Sequence, residues 1–505
     1  MPISISSYST ENRGRVLLLF LLFLLAMYEF VTAGFSTFAI VCMLPIVVLY
    51  IYAAFTWRMF TFWTLIFVNY FIQLKDIHLP IPMSLADEML ELILLAVALI
   101  DVRQDNRFSR ANNTMLFAIM LWVGFCLIEV FNNSCDLGIN VSLWFTGFRL
   151  LALQLVWILL VFSVYISSPK ILMTYLKVWA ILSLFSVYWT YKQEYIGMTA
   201  AERIWMETRG RTTHIINGGT LIRYFSTFSD AANYGCHAGA AAVSFIIFGI
   251  TNKLKRAKIF FLLVAALVIW GMFQSGTRTA IFCLAAGMMT YIFLSKSVKI
   301  AVPFSILFGI ITFLLVFTTV GDGNQQVRRM RSAFNKDDAS ANVRDINKEA
   351  IKKYIRDIPW GIGLGMNASE VPANNKFKKL STIPPDSEYV YIWVHTGPIG
   401  ITVFVCSMAI MFFGACVIVL FRLKNKTLIG IGAAFCSSFV SIQLGGYANQ
   451  VLFQYPNGLT FFGGLAIVYI LPYIETEFEE YEQMRLAQME EKKRKRLEKK
   501  KKNKK

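Results

Sequence analysis

Charged residues are scarce in this sequence: Asp, Glu, Lys and Arg make up only 16% of its 505 residues, against about 25% in an average soluble domain. Hydrophobic residues make up 56%, and the mean hydropathy is +0.55. This balance excludes an ordinary soluble globular protein. It predicts a chain that crosses a membrane many times.

Residue types that build metal and redox centres are also few. The four histidines and eight cysteines form no Cys-x-x-Cys pair, no His-Glu-x-x-His motif and no other metal-ligand spacing. No glycine-rich nucleotide loop is present either, so we expect neither a metal nor a cofactor. Most cysteines lie in apolar runs, where packing is the simplest explanation. A disulfide between Cys135 and Cys236, near predicted outer-face loops, is an open alternative.

The net charge of +18 is concentrated at the C-terminus, where residues 492–505 contain eleven Lys or Arg and one Glu. In a soluble protein such a surplus would indicate nucleic acid, but the tail has no aromatic residue to stack on bases. We interpret it as a cytoplasmic tail that obeys the positive-inside rule and contacts anionic headgroups. Membrane lipids are therefore expected partners, and nucleic acid is not.

Apolar segments of the ~20 residues that a bilayer requires recur about fourteen times. They lie near 16–34, 36–56, 59–74, 84–101, 114–131, 143–167, 171–190, 234–250, 259–276, 279–295, 299–320, 397–421, 428–447 and 458–474. The Lys- and Arg-rich loops all fall on one side if the N-terminus is cytoplasmic, which places both termini in the cytoplasm. The predicted fold is an all-α, polytopic transmembrane helical bundle.

The predicted spans divide the chain into six regions. These are N-terminal membrane helices at 1–190, a first outer-face loop at 191–233, membrane helices at 234–320, a large outer-face loop at 321–396, C-terminal membrane helices at 397–474, and the basic tail at 475–505. Long loops are uncommon and usually functional. The large loop is expected to be partly helical, since Val343, Ile346, Ala350 and Ile351 have helical spacing.

Three arginines stand at predicted membrane boundaries: Arg223, Arg278 and Arg344. Charges at such positions tend to be functional or paired, and a guanidinium grips phosphate through two parallel hydrogen bonds. We predict that the three converge on a pyrophosphate at the bilayer surface. The alternatives are snorkelling for Arg278, a loop salt bridge for Arg223, and an ordinary charged helix face for Arg344.

Two carboxylates, Asp386 and Glu388, follow a pair of prolines and precede a long apolar run in "PPDSEYVYIWVHTGPIG". Asp386 is predicted to cap a helix, with Glu388 favoured in its first turn by the helix dipole. A carboxylate at this place is also able to accept a proton from an attacking hydroxyl group. Both residues are therefore catalytic candidates as well as helix-start residues.

Four pieces of the sequence together resemble the O-antigen ligase/polymerase family of bacterial surface-polysaccharide assembly, over roughly residues 215–401. In order, they are "RYFSTFSDAANYG", "SGTRTA", "VRDINKEAIKKYIRDIPWGIGLGM" and "DSEYVYIWVHTGPIG". Arg223 and Arg278 match arginines thought to hold the lipid pyrophosphate in that family, and Arg344 matches less closely. The ligase branch has His where this chain has Asp386, which favours a polymerase.

The resemblance implies a metal-independent, inverting glycosyltransferase in the bacterial inner membrane, with a GT-C-like bundle. It would polymerise undecaprenyl-pyrophosphate-linked repeat units into O-antigen, capsule or exopolysaccharide. Candidate partners are a chain-length regulator and a flippase, and candidate sugar contacts are Asp230, Asn233 and Tyr389. The alternatives are a ligase or oligosaccharyltransferase of the same family, a lipid-linked sugar flippase or transporter, and a non-catalytic structural or sensing protein.

Overall fold

The structure is a computed structural model that describes most of the chain. The described residues are 13–77, 83–100, 107–136, 138–216, 221–295, 318–323, 325–331, 339–356, 358–366 and 371–502, with isolated positions between 303 and 317.

Helices make up almost all of the regular structure in these residues. They are α1 Arg13–Thr56, α2 Arg58–Phe71, α3 Met83–Ile100, α4 Thr114–Ile128, α5 Val141–Phe148, α6 Gln154–Tyr165, α7 Pro169–Tyr191, α8 Ala200–Trp205, α9 Arg211–His214, α10 Ala231–Thr251, α11 Lys255–Gln274, α12 Arg278–Ser295, α13 Gln325–Arg331, α14 Ala339–Ile355, α15 Glu388–Val417, α16 Lys426–Ala448 and α17 Gly463–Lys502. Strands β1 Ile215–Ile216 and β2 Leu221–Ile222 pair antiparallel.

Several helices continue into, or are joined by, short irregular helical turns. The 3₁₀ turns are Arg107–Ala111, Glu129–Phe131 and Leu380–Thr382, and the π-helical turns are Arg149–Leu153, Lys192–Ile196, Met206–Gly210, Ile418–Arg422 and Gly458–Phe462. Because of these turns, α5 and α6 form one continuous apolar segment, and α7 and α15 are each longer than their regular helix.

Nine helical segments in the described part of the chain are long and apolar enough to cross a membrane, and a bent pair, Pro45–Thr56 with Arg58–Phe71, would make a tenth. The nine are Thr114–Phe131, Val141–Tyr165, Pro169–Ile196, Ala231–Thr251, Lys255–Gln274, Arg278–Ser295, Glu388–Arg422, Lys426–Ala448 and Gly458–Lys495. Each corresponds to one predicted span. The predicted all-α polytopic bundle is thus confirmed, and the protein is a multi-pass membrane protein.

The remaining five predicted spans have other outcomes. The span predicted at 59–74 is helix α2, Arg58–Phe71, the second helix of the bent pair. The spans predicted at 16–34 and 36–56 are one unbroken helix, α1, because no turn-forming pair separates them. The span predicted at 84–101 is helix α3, which contains three carboxylates and is not among the nine membrane-length segments. The span predicted at 299–320 lies largely outside the described residues.

The chain divides into two compact units, residues 1–64 and 65–505. In the described part of the first unit, α1 and the start of α2 provide the regular structure. In the second unit α10 packs against α11, α12 and α16. Small side chains permit this: a Cβ at Gly239 would lie 2.7 Å from the carbonyl oxygen of Ala280, so the two backbones are as close as glycine allows.

The large loop forms a small hydrophobic core of its own beside α15. Ile351 and Ile355 of α14 pack with Ile358, Ile362 and Val394. The predicted helix in this loop is therefore confirmed. Of the apolar residues that indicated it, Ile351 is buried in this core, whereas Val343 and Ile346, nearer the start of α14, are 53% and 66% exposed.

Candidate active site

Arg223 is held at the place where the first long loop meets the turn between α11 and α12. Its Nε donates to the carbonyl oxygen of Ser275 at 3.2 Å, its Nη1 to that of Thr213 at 2.8 Å, and its Nη2 to Thr277 Oγ1 at 2.9 Å. All three acceptors are neutral oxygens. These hydrogen bonds therefore fix the guanidinium in place without neutralising its charge.

The three arginines singled out in the sequence are brought to one region. Burial, aided by the like charges of Arg278 and Arg344 and opposed by the carboxylate of Asp230, lowers the pKa of Arg223 to about 10. Arg344 Nη2 donates to Asn449 Oδ1 at 3.3 Å, and Asn449 Nδ2 donates to Thr279 Oγ1 at 3.3 Å, next to Arg278. The region thus gathers positive charge whose mutual repulsion a bound anion would relieve.

The turn that carries Arg278 is shaped by hydroxyl side chains. Ser275 Oγ donates to the carbonyl oxygen of Met272 at 2.7 Å and accepts from the amide of Thr277 at 3.1 Å. Thr277 Oγ1 in turn donates to the carbonyl oxygen of Ala231 at 2.6 Å. Side-chain hydrogen bonds of this kind replace the backbone hydrogen bonds of a helix at the turn. Helix α11 therefore ends, and α12 begins, beside Arg223 and Arg278.

A fourth arginine, Arg329 on α13, joins this group. Its Nε donates to the carbonyl oxygen of Gly276 at 2.6 Å. Gly276 has φ +57°, and a Cβ there would lie 3.1 Å from Arg223 Cγ and 3.3 Å from Arg329 Cδ. The sequence analysis missed Arg329, although "VRRMR" at 327–331 lies in the same predicted outer-face loop as Arg344. Hereafter Arg223, Arg278, Arg329 and Arg344 are called the arginine cluster.

The first loop is held near the cluster by a buried histidine. His214 Nε2 accepts from the amide of Ala231 at 3.0 Å, and Nδ1 faces the carbonyl oxygen of Gly210 at 3.3 Å. The backbone amide of Arg223 donates to the carbonyl oxygen of His214 at 2.9 Å. Burial and the charge of Arg223 lower the pKa of His214 to about 4, so the neutral ring supports the loop.

A cleft of about 450 Å³ lies between α14, the start of α15 and the end of α16. Arg344 and Asn347, one turn apart on α14, line one side, and Asp386 and Tyr389 line another. Asn347 Nδ2 donates to Asp386 Oδ2 at 2.9 Å. The volume is in the range of small-molecule sites, and Arg344 belongs both to this cleft and to the arginine cluster.

The prediction that Asp386 caps a helix is wrong. Helix α15 begins at Glu388, and Ser387 is its N-cap residue, without a side-chain capping bond. Ser387 Oγ instead donates to the carbonyl oxygen of Gly446 at 3.2 Å. Asp386 therefore lies one residue too early to cap, and its carboxylate is directed to Asn347 and the cleft.

Glu388 occupies a different environment from Asp386. It is 5% exposed, and its carboxylate accepts from the amide of Leu452 at 3.1 Å. It does not line the cleft. The structure therefore does not bring the two candidate carboxylates together: Asp386 lies in the cleft, while Glu388 binds the backbone that follows α16.

Comparison with known families agrees with the resemblance. Residues 263–405 match the family model described as O-antigen ligase. The chain contains an O-antigen ligase region. This confirms the resemblance to the O-antigen ligase/polymerase family, whose members are membrane glycosyltransferase-like enzymes. No curated protein matches the chain significantly.

The O-antigen ligase region contains most of the site. Arg278, Arg329, Arg344 and Asp386 all lie within residues 263–405. Arg223 precedes the region, and Asn449, which links Arg344 to Thr279, follows it. Asn449 was missed in the sequence analysis because it stands in "YANQ", just beyond a predicted span and without a neighbouring charge.

Two of the three candidate sugar contacts have other partners. Asp230 caps α10, its Oδ1 accepting from the amides of Ala232 and Asn233 at 2.8 and 3.0 Å. Asn233 is fully buried, and its Nδ2 donates to the carbonyl oxygen of Tyr455 at 2.9 Å. Tyr389 alone of the three lines the cleft, with its hydroxyl donating to Gln443 at 2.7 Å.

A glycine-rich segment of the O-antigen ligase region fixes the bend in α15. Gly397 has φ +67° inside that helix, and a Cβ there would lie 2.2 Å from the carbonyl oxygen of Pro359. The amides of Ile362 and Gly363 donate to the carbonyl oxygens of Val394 and His395, each at 2.9 Å. The helix therefore starts at Glu388 and bends at the predicted boundary, since these bonds satisfy the interrupted backbone.

The disulfide alternative is wrong, since Cys135 and Cys236 are both buried and free. Cys135 Sγ donates to the carbonyl oxygen of Ile362 at 3.3 Å, so it packs against the glycine-rich segment. His395 has a similar task, with its two ring nitrogens 2.8 Å and 3.0 Å from the carbonyl oxygens of Tyr391 and Met366. Both residues support the loop that carries the cleft.

Proposed function

We propose that this protein polymerises undecaprenyl-pyrophosphate-linked oligosaccharide repeat units into a surface polysaccharide by inverting glycosyl transfer. The observation that carries the proposal is the double position of Arg344. It lines the cleft that contains Asp386, and its charge acts on Arg223 within the arginine cluster. One continuous site thus offers cations that stabilise a leaving group and a carboxylate that accepts the proton of the attacking hydroxyl group.

The arginine cluster is suited to the donor's pyrophosphate. In the proposed step the anomeric carbon–oxygen bond breaks and its electron pair stays on the pyrophosphate. Guanidinium groups that are already fixed, as Arg223 is by three hydrogen bonds, stabilise that charge without reorganising. The first amides of α12, directly after Thr277, add a favourable dipole at the same place.

Asp386 is suited to the acceptor. A sugar hydroxyl of the acceptor attacks the anomeric carbon from the face opposite the pyrophosphate, forming the new glycosidic bond, and its proton passes to the carboxylate of Asp386. The hydrogen bond from Asn347 to Oδ2 orients this carboxylate and leaves Oδ1 for the hydroxyl. Glu388, held by the amide of Leu452, is assigned a supporting role instead.

Aromatic side chains give the cleft a character that suits sugars. Tyr389, Trp393 and Tyr447 all line it, and flat apolar faces with a polar edge are common partners of ring-shaped polar ligands. We assign the cleft to the acceptor glycan, with its attacking end toward Arg344 and Asp386. Holding both substrates in line in this way supplies much of the rate.

A ligase that moves the finished glycan to another acceptor is the second candidate. The observation in its favour is the description of the matching family model, O-antigen ligase. The aspartate at position 386, where the ligase branch has histidine, favours polymerisation. The cleft and the arginine cluster would serve either reaction, so the two differ only in the acceptor.

The deciding experiment compares polysaccharides on gels from a strain that lacks the gene. The strain is complemented with wild type, Arg278→Ala, Asp386→Asn or the control Glu349→Gln, which is exposed on α14 and paired with Lys352. The proposal expects Arg278→Ala and Asp386→Asn to leave one repeat unit on the final acceptor, without a long-chain ladder. The control should retain the ladder.

Two other outcomes would decide against polymerisation. Long chains that accumulate on the undecaprenyl lipid and never reach their acceptor would identify a ligase. Repeat units that accumulate on the cytoplasmic side, unavailable to outer-face enzymes, would identify a flippase. Protein levels in the membrane, measured by immunoblot for each variant, separate these outcomes from loss of the protein.

A further inference from the structure

A second cavity lies at the opposite end of the bundle from the arginine cluster. It has a volume of about 530 Å³. It lies between the starts of α7 and α11 and the C-terminal half of α17. Helix α11 begins here at Lys255 and ends at Gln274, beside the turn of the arginine cluster. Its 20 residues separate the two sites by about 30 Å.

Four cationic side chains line this cavity: Lys177, Arg256, Arg485 and Lys492. Within the described part of the chain its lining includes no carboxylate. The nearby Glu482 is occupied elsewhere, because its Oε2 accepts from Lys253 Nζ at 2.7 Å. The cavity therefore has a charge that an anionic ligand would complement. We call it the basic pocket.

The wall contributed by α17 is anchored to the bundle. Besides Lys253, Glu482 accepts from Thr427 Oγ1 at 2.6 Å. About two turns earlier on α17, Glu475 accepts from the amides of Lys424 and Asn425, each at 2.7 Å. Phe478 between them is 2% exposed. The start of the predicted tail is thus docked, which holds Arg485 and Lys492 near α7 and α11.

The order of polar and apolar groups in the basic pocket points to an amphiphile. On α7, Ile181 follows Lys177 by one turn toward the membrane interior, and on α11 Phe260 follows Arg256 by one turn. Ile181 is 57% exposed. Each helix thus presents a cation at the surface and an apolar side chain below it. A free phosphate would contact only the cation, whereas a phospholipid contacts the cation with its headgroup and the apolar side chain with its acyl chain.

We propose that the basic pocket binds one anionic phospholipid of the inner leaflet. The headgroup phosphate lies among Lys177, Arg256, Arg485 and Lys492, and an acyl chain follows Ile181 and Phe260. The lipid joins α17 to α7 and α11 and so fastens the C-terminal helix to the membrane. This site is separate from the glycan site and does not depend on the function proposed above.

Native mass spectrometry of the full chain in detergent, titrated with phosphatidylglycerol, tests the proposal. The variant Arg256→Gln/Lys492→Gln should bind more weakly by about 25-fold, from roughly fivefold for each charge lost near a membrane surface. The matched control Lys258→Gln/Lys495→Gln alters exposed lysines on the same two helices that do not line the pocket. It should bind with the affinity of wild type, because neither of its two lysines lines the pocket.

Three results would overturn the proposal. The first is an equal loss in both double variants, which would mean diffuse charge attraction without a site. The second is equal affinity of wild type for phosphatidylglycerol and phosphatidylcholine. The third is full displacement of the lipid by excess glycerol phosphate, which would mean a soluble phosphate site. Unchanged unfolding midpoints of the variants in detergent keep a loss of binding distinct from misfolding.

Discussion

The two ends of the bundle both gather positive charge, but they hold it in different ways. In the arginine cluster, Arg223 is fixed by three hydrogen bonds to neutral oxygens, and its pKa is lowered to about 10 by burial and by neighbouring arginines. In the basic pocket, Arg256 and Lys492 are exposed. Fixed, crowded cations suit a group on which charge develops during a reaction, and exposed cations above apolar side chains suit a lipid.

The largest effect is expected from Arg223→Ala. Removing one preorganised donor to a developing anion typically costs about 10²–10³-fold in rate, and Arg223 also joins the first loop to the α11–α12 turn. Arg223→Lys should restore little, because an ammonium group lacks the planar fork. The measurement is the rate of chain elongation on lipid-linked repeat units in vesicles.

Arg256→Gln in the basic pocket is the matched control for Arg223→Ala. It removes an equally positive side chain about 30 Å away and should leave the elongation rate unchanged. If both variants slow elongation equally, the rate depends on the net charge of the protein and not on the position of the arginine. The proposed difference between the two ends would then be wrong.

A smaller effect is expected when the pH is lowered. It acts on the stability of the first loop, which His214 holds near the arginine cluster. The pKa of His214 falls from the ordinary value of 6.5 to about 4, because burial and the charge of Arg223 oppose protonation. The folded loop therefore binds fewer protons than the open loop between these values, so its stability falls as the pH falls from 6.5 to about 4. The full effect is at most about 3 kcal/mol.

Hydrogen exchange of the Ala231 amide, which donates to His214 Nε2, measures this opening directly. Protection should decrease as the pH is lowered through that window, after correction for intrinsic exchange. His214→Gln should abolish this part of the pH dependence. An unchanged profile in the variant would show that a group other than His214 controls the loop.

The sequence was sufficient for most of the bundle and for part of the site. In the described residues nine spans were predictable, because each is a long apolar run. Arg223, Arg278 and Arg344 were predictable as candidates because charged side chains at membrane boundaries are uncommon. The continuity of α15 was not predictable: the sequence predicts a helix after Asp386 and a separate span from residue 397, because Gly397 and Pro398 suggest a helix boundary. In the fold they form a bend instead, because the glycine-rich segment supplies the missing hydrogen bonds.

The different environments of Asp386 and Glu388 could not be read from the sequence either. They stand two residues apart at a helix start, where each has a plausible local task. What separates them is non-local: Asn347 on α14 reaches Asp386, and the backbone of Leu452 after α16 reaches Glu388. Such partners are distant in sequence and carry no periodic signal.

Glu388→Ala tests that separation and should act mainly on stability. It leaves the amide of Leu452 without its buried acceptor, which costs about 1–3 kcal/mol. Glu388→Gln retains an acceptor oxygen and should cost less. The measurement is the thermal unfolding midpoint in detergent, with elongation rate per folded molecule as the second readout. A large loss of that rate with unchanged stability would return Glu388 to the catalytic candidates.

The smallest effect is expected from Glu482→Gln at the basic end of the bundle. The substitution removes the ion pair with Lys253, whose side chain is 44% exposed, while a side-chain oxygen remains for Thr427. Partly exposed ion pairs contribute about 1 kcal/mol or less, so the unfolding midpoint should fall only slightly. Because α17 is also held by Glu475 and Phe478, polysaccharide length should not change. A shortened ladder would mean that docking of α17 reaches the glycan site, and that the two ends do not act independently.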